Sequence, residues 1–425
     1  MVPSLRGYVM KALFANRVFR VVAFADLLQQ LAIWIRNISL LFYVMEQTDS
    51  DPVAVSLLSV MEYAPIFLFS FIGGAFADRW NPKRTMITGD LLSALSIAAI
   101  LLFVLAGSWQ AVFAATVVSA IVSQFSQPSS AVMFKRHVPE ELMAPAISIS
   151  QGIMSLFIIV GPVVGTLIYS SLGLTYSLAV MIGLFLTAAA VQFLLPPSPR
   201  SPERGSVPIL EDVKEGLLYI RRHRNLIVIA LTFACIGLGS GLIQPLDIYI
   251  VTERLQLDKE SVQWFYALSG AGMLIGGVAA AILGPKMNPR VVIFAGIAFL
   301  SFSIIVEALS VWVYLTAAMR FMVGVMTAFM QIVLGAIMMK LVEETYIGRV
   351  NGTITPLLMA GTLTGTALAG PLMKSITLVP VYGLSAAIIL IAAFASLSMK
   401  FDGSAAKADQ SGAHSDKAAL LKREL

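Results

Sequence analysis

The sequence predicts an all-α integral membrane protein with twelve transmembrane helices in two pseudo-symmetric six-helix bundles and both termini cytoplasmic. Three observations predict it. Of the 425 residues, 58% are hydrophobic and 12% charged, whereas soluble chains run about 45–50% apolar and about 25% charged. Twelve apolar windows reach the roughly 20 residues that cross a bilayer. Short motifs also return at a nearly constant offset, as in a duplicated unit. This composition excludes a soluble enzyme of this size, a disordered chain and a nucleic-acid module. The pI near 9.2 records topology, because basic residues in membrane chains gather on the cytoplasmic side. A single cysteine, Cys235, excludes a disulfide framework and reads as a small packing residue.

The windows lie near 18–44, 53–76, 86–106, 110–132, 147–169, 175–195, 225–251, 262–284, 291–310, 313–339, 350–373 and 377–399. The first follows a basic stretch (Arg6, Lys11, Arg17, Arg20) and is too long for a signal-peptide core. With no small-residue cleavage site before the second window, it is read as a retained span. With both termini on one side, 24 Lys and Arg residues fall on that side and 3 (Arg254, Lys259, Lys374) on the other, while Arg36 and Arg320 lie within spans. That imbalance assigns the termini to the cytoplasm. Trp109, Trp264 and Trp312 fall at outer span ends, as an interfacial belt does.

Four segments follow: an N-terminal bundle (1–195), a cytoplasmic linker (196–224), a C-terminal bundle (225–400) and a polar tail (401–425) that reads as disordered. The linker begins PPSPRSPERGS and continues LEDVKEGLLYIRRHR, the pattern of an amphipathic surface helix. The repeat is visible in three places. WNPKR at 80–84 returns as MNPRV at 287–291, AVMFK at 131–135 as AIMMK at 336–340, and Gly161-Pro162 as Gly370-Pro371, at offsets of 207, 205 and 209. Such a parallel repeat places a cavity between the halves near the mid-plane.

The loop between spans 2 and 3 reads GAFADRWNPKR, residues 74–84. Gly74 permits close helix packing. Asp78 with the basic residues Arg79, Lys83 and Arg84 can form charge-assisted bonds that hold an inner gate shut, and Asp90, one turn into span 3, is a candidate partner of that cluster. The stretch resembles motif A of the major facilitator superfamily, with Asn81, a residue that tolerates left-handed turns, where the pattern has Gly. Gly161-Pro162-Val163-Val164-Gly165 in span 5 resembles motif C of the antiporter branches, except that Phe157 stands where that pattern has a further Gly. It reads either as a hinge or as ordinary small-residue packing. Arg320 and Gly324 loosely echo motif B in span 10. Span 4, where motif B normally stands, has Ala115 in the place of its Arg. Over nearly the whole chain to about residue 400, the sequence is similar to the macrolide-efflux and enterobactin-exporter branch. The stretches that carry this are WIRNISLLFYV, GAFADRWNPKR…GDLLSA and LEDVKEGLLYIRRHR. The resemblance implies a bacterial, proton-driven exporter of an amphiphilic compound in the inner membrane.

Ionisable residues at mid-membrane cost about 2.5–3.5 kcal/mol each on insertion scales and mark functional positions. Leaving aside Arg20 and Asp90, close to cytoplasmic span ends, six stand in the spans: Asp26, Arg36, Glu62, Asp247, Glu307 and Arg320. Counting from the outer span ends puts Arg36 and Glu62 at a common depth of roughly 12–14 Å, where they can pair. Asp26 lies deeper, with Gln29 and Gln30 one turn on and no basic residue on its helical face. Two roles are open to it: a carrier that takes a proton on one side and releases it on the other, or a carboxyl bonded to a backbone or amide neighbour. Glu62 is the second candidate carrier. Asp247, Glu307 and Arg320 fall near outer span ends and form either an outer-gate network or side chains that snorkel to the interface. Gln29, Gln30, Arg36, Gln124, Gln127 and Gln331 are candidate cavity residues, since an amide facing hydrocarbon is costly.

No enzymatic constellation appears. His137, His223 and His414 are far apart, without metal-ligand spacing, and no phosphate-binding Gly-Lys-Ser/Thr loop exists. The sequence thus predicts a monomeric secondary transporter without metal or cofactor, whose partners are the lipid bilayer, protons and a small amphiphilic substrate, drug-like or macrolide-like. Two alternatives stand beside it: a dedicated exporter or flippase of one endogenous molecule, such as a siderophore or lysophospholipid, and a non-transporting receptor on the same fold.

Overall fold

The computed structural model describes residues 10–197, 209–341 and 347–398. For residues 70–79, 127–128, 209–214, 216, 285, 338–341, 347–349 and 351 only the backbone is described, so the side chains of Gly74, Asp78, Arg79 and Gln127 lie outside it, as does the tail. Eleven helical elements among the described residues are long and apolar enough to cross a membrane. The first four are α1 (Arg17–Gln47), α2 (Pro52–Arg79), α3 (Pro82–Leu105) and α4 (Ala111–His137).

The next element, Glu140–Gln192, has 53 residues, about 80 Å at 1.5 Å per residue, more than twice the roughly 30 Å hydrocarbon core. Gly173 divides it: φ 70 and ψ −178 leave the helical region, a conformation that glycine adopts without a Cβ penalty. Its limbs, α5 (140–172) and α6 (174–192), carry the fifth and sixth predicted windows with one residue of turn between them.

The amphipathic linker helix is α7 (Ile209–Arg222). Then come α8 (Arg224–Ile243), α9 (Val262–Leu283), α10 (Pro289–Leu309), α11 (Val313–Leu341), α12 (Ile347–Ile376) and α13 (Leu378–Ser396). Beyond α8 the chain continues through a 3₁₀ turn at Gln244–Leu246 and a π turn at Ile250–Arg254.

The pairing of helices repeats between the halves. In the first half α1 packs on α5, α2 on α4, and α3 on α4 and α6; in the second α8 packs on α12, α9 on α11, and α10 on α11 and α13. The WNPKR/MNPRV echo has a local cause as well. Asn81 and Asn288 are both N-caps, at φ −71 ψ 112 and φ −71 ψ 117, accepting from the Arg84 and Arg290 backbone amides, and each is followed by a proline at the first helical position. Such a cap satisfies an orphan amide, and proline there forfeits nothing. Asn81 is therefore an extended cap residue, and the left-handed turn that the sequence allowed is not formed.

Glycines set how closely the second-half helices approach. A Cβ on Gly276 would stand 2.2 Å from the Val325 carbonyl oxygen, and one on Gly272 2.1 Å from that of Phe321, so α9 and α11 touch backbone to backbone. Gly276→Val is expected to force them apart at a cost of about 1–3 kcal/mol, read as a lower melting temperature in detergent. Gly277→Val, where a Cβ meets nothing within 4 Å, should be close to neutral, and equal losses from the two variants would refute the packing account.

Candidate functional site

The halves meet along α2 with α12 and along α5 with α9. The first contact includes one end of the molecule. A Cβ on Gly370 would lie 2.3 Å from the Pro52 carbonyl oxygen, and Ile158 and Ile159 pack on Gly270. That end carries a rim of polar bonds between the halves. Lys259 pairs with Glu46, its ammonium lying 5.2 Å from the Phe42 ring centre and 5.8 Å from that of Tyr169, while the Tyr169 hydroxyl donates to Glu46 Oε2 at 2.8 Å. Lys374 donates to Asp51 at 3.0 Å, Tyr249 to the Ser50 carbonyl at 2.9 Å, and Gln244 to the Tyr63 hydroxyl at 2.6 Å. The Val53 amide, and after it Lys374, hold the Asp51 carboxyl below the usual carboxylate range. Asp51 therefore keeps its charge at neutral pH, and the pair is lost only as the pH falls through that lowered value.

A cavity of about 250 Å³ opens deeper in the molecule, lined by residues of the first half: Asp26, Gln29, Gln30 and Ile33 of α1, Met86, Asp90 and Ser93 of α3, serines of α4, a face of α5, and Phe185 of α6. The sequence placed the cavity between the halves, but its described lining belongs to one of them. The reason lies in side-chain size. Ser119, Ser123, Ser126 and Ser130 stand at helical spacing on α4 and leave room beside the acids. Its α5 wall is exposed at Ile147, Gln151 and Met154. These share a helix face with Ile158, which meets α9, so the cavity opens toward the gap between the halves on the side away from the rim.

Two carboxyls face this space differently. Asp90 is 2% exposed and held: Gln29 Nε2 donates to both its oxygens at 2.8 and 3.0 Å, and Gln192 donates at 2.9 Å. Among the described residues Asp90 therefore meets two amides and neither Lys83 nor Arg84 of the gate cluster, while the Asp78 and Arg79 side chains lie outside the description. Of that cluster, Lys83 binds the Phe193 carbonyl at 2.8 Å and the Leu195 carbonyl, capping the end of α6, and Arg84 is exposed. Asp26, by contrast, makes no hydrogen bond or ion pair among the described residues, although it lines the same cavity.

The other predicted residues fall into four groups. Arg36 Nη2 pairs with Glu62 at 2.8 Å, as the depth count allowed, but neither lines the cavity. Gln124 bonds Ser123 at 3.3 Å and Gln331 is exposed, and these too lie off it. Gly161 and Gly165 bring α5 against Trp34 of α1, where a Cβ would come within 2.3 Å of the indole and 2.9 Å of the Trp34 carbonyl oxygen; Pro162 sits inside that helix. Asp247, Arg320 and Glu307 are not snorkelling side chains, and they do not join the halves. Arg320 Nη1 and Nη2 donate to Asp247 at 3.0 and 2.8 Å, and its Nε lies 2.7 Å from Glu307 Oε2, all within the second half. Sequence reasoning missed Gln192, the serine stripe of α4 and the Lys259 cage. The stripe's spacing of four and three residues was a visible signal.

An open-walled cavity with two acids, beneath a rim that joins two pseudo-equivalent halves, is the arrangement of a carrier. The comparisons agree. The chain is 26% identical over 401 residues to the Bacillus subtilis "Uncharacterized MFS-type transporter YkuC", covering 90% of this chain and 92% of that protein. It is 24% identical over 338 residues to macrolide efflux protein A of Streptococcus pyogenes, covering 76% and 82%. Among solved structures, the nucleoside transporter NupG superposes with a TM-score of 0.74 at 11% identity, over 90% of this chain and 100% of that one. The family model of the Major Facilitator Superfamily matches residues 22–250 and 229–424, and the chain belongs to that superfamily.

Proposed function

We propose that the protein is a secondary transporter that exports an amphiphilic small molecule in exchange for protons, by alternating access, across a bacterial cell membrane. In this reading it works as a monomer with twelve crossings and cytoplasmic termini, its halves being residues 1–195 and 225–400. The observation that carries the reading is Asp26, a carboxyl without a partner among the described residues on the wall of a cavity that also offers apolar Met86, Phe134 and Met154. A carboxyl so placed can hold a proton or meet a cationic group of a substrate, and flexible methionine and aromatic walls re-pack around varied ligands. The macrolide efflux relative supports a drug-like substrate. In proteoliposomes, addition of a transported amphiphile is expected to drive proton movement in the opposite direction. Transport that is uphill and indifferent to the proton gradient overturns the exchange.

Alternating access also requires the rim to open. The Lys259 cage is partly exposed, so its contribution is roughly 1 kcal/mol. Lys259→Ala should therefore raise the labelling rate of a Ser56→Cys probe, in a Cys235→Ser background, about fivefold from the rim side. An unchanged rate excludes the cage as a closing element.

A further inference from the structure

We infer that Asp247, Arg320 and Glu307 form a second proton-binding site, one whose protonation holds the rim closed through the irregular segment 244–254. The inference rests on the proton-exchange reading and adds to it a site in the opposite half.

Charge and geometry carry it. Two carboxylates face one guanidinium, with side-chain exposures of 12%, 6% and 16% for Asp247, Glu307 and Arg320. With both acids ionised the cluster holds one uncompensated negative charge in an apolar interior, and one bound proton makes it neutral. The hydrogen bonds say which acid takes it. Asp247 receives two N–H donors from Arg320 and the Tyr382 hydroxyl at 3.2 Å. Glu307 receives the Ser303 hydroxyl at 3.1 Å, and the Arg320 Nε beside it is not aligned to donate. Asp247 thus receives three donors and Glu307 one, which makes Glu307 the proton's place. The polar groups around the cluster are Asp247 beyond α8, Tyr266 of α9, Ser303 of α10, Thr316 and Arg320 of α11 and Tyr382 of α13, with Tyr63 of α2 beside Tyr266.

The second observation is where Asp247 stands. It follows the 3₁₀ turn Gln244–Leu246 and precedes the π turn Ile250–Arg254, so the hydrogen-bond ladder of the span changes pitch on both sides of it. Pitch changes of this kind, π turns above all, recur at functional positions. The same irregular segment supplies Gln244 and Tyr249, which bond Tyr63 and Ser50 of the first half. One side of the segment is therefore fastened to the charge cluster and another to the rim. When Glu307 releases its proton to water, its carboxylate competes with Asp247 for the single guanidinium. Arg320 is drawn from Asp247, and the segment loses its anchor.

The test uses full-length protein in lipid nanodiscs, with spin labels at Gln47→Cys and Gln256→Cys in a Cys235→Ser background, and distances measured across a pH series. The wild-type rim is expected to be closed at low pH and open at high pH, whereas Glu307→Gln stays closed throughout. Infrared spectra keep the inference testable should that variant fold poorly. Wild type should show the carbonyl stretch of a buried protonated acid, and Ser303→Ala should move that band by removing one hydrogen bond. A Glu307→Gln rim that tracks pH as wild type does, or a band untouched by Ser303→Ala, overturns the inference. A wild-type rim indifferent to pH, with Asp26-dependent proton movement intact, overturns it while the proposed exchange stands. Absence of any substrate-stimulated proton movement overturns the exchange reading and this inference with it.

Discussion

Asp26→Asn is expected to reduce uphill export in proteoliposomes to the level of empty vesicles while substrate binding stays within about threefold of wild type. The change is isosteric and removes only the ability to gain and lose a proton. Asp26 is the acid to change because Asp90, its neighbour in the cavity, is fixed by Gln29 and Gln192, whereas Asp26 has no such donor among the described residues. A group that must bind a proton in one state and surrender it in another cannot be satisfied permanently in either. Measurement is by substrate accumulation under an imposed proton gradient, beside equilibrium binding in detergent. Normal uphill export by the variant removes Asp26 from the coupling role, and loss of binding reassigns it as a substrate contact.

The second large effect concerns stability. Arg320→Met leaves Asp247 and Glu307 buried together without a counter-charge, and breaking a buried pair in this way costs about 3–5 kcal/mol. A steep fall in melting temperature and in monodisperse yield is expected. The neutral triple variant Arg320→Met, Asp247→Asn, Glu307→Gln should recover much of that loss, because uncompensated charge rather than lost volume is the cause. Equal instability of the single and triple variants would assign the effect to packing instead.

The two proposed ion sites differ in how far the chain announced them. Spans were legible because hydrocarbon demands long apolar runs, and the halves because Asn81-Pro82 and Asn288-Pro289 cap equivalent helices in the same way. Arg36 and Glu62 could be matched by counting depth along two regular helices. The same count left Asp247, Glu307 and Arg320 open between a network and snorkelling, because depth along one helix does not show which neighbours a side chain meets; the structure shows the network. The described partners of Asp90 were not legible for a different reason. That residue lies beside a basic loop in sequence, but its partners Gln29 and Gln192 come from α1 and α6, 61 and 102 residues away. The cavity was hidden because no single window shows that serines of one helix face acids of two others.

The rim has a consequence for how the molecule meets its surroundings. Its charged contacts, Glu46 with Lys259 and Asp51 with Lys374, sit on one face and are partly open to solvent. Counter-ions in the medium bathing that face compete with them, over a screening distance of about 10 Å at 0.1 M salt. The balance between closed and open forms therefore answers to the salinity of a single compartment. In the proposed orientation that compartment is the outside, so a shift from dilute to salty surroundings is expected to loosen the closure without a change in the cell interior.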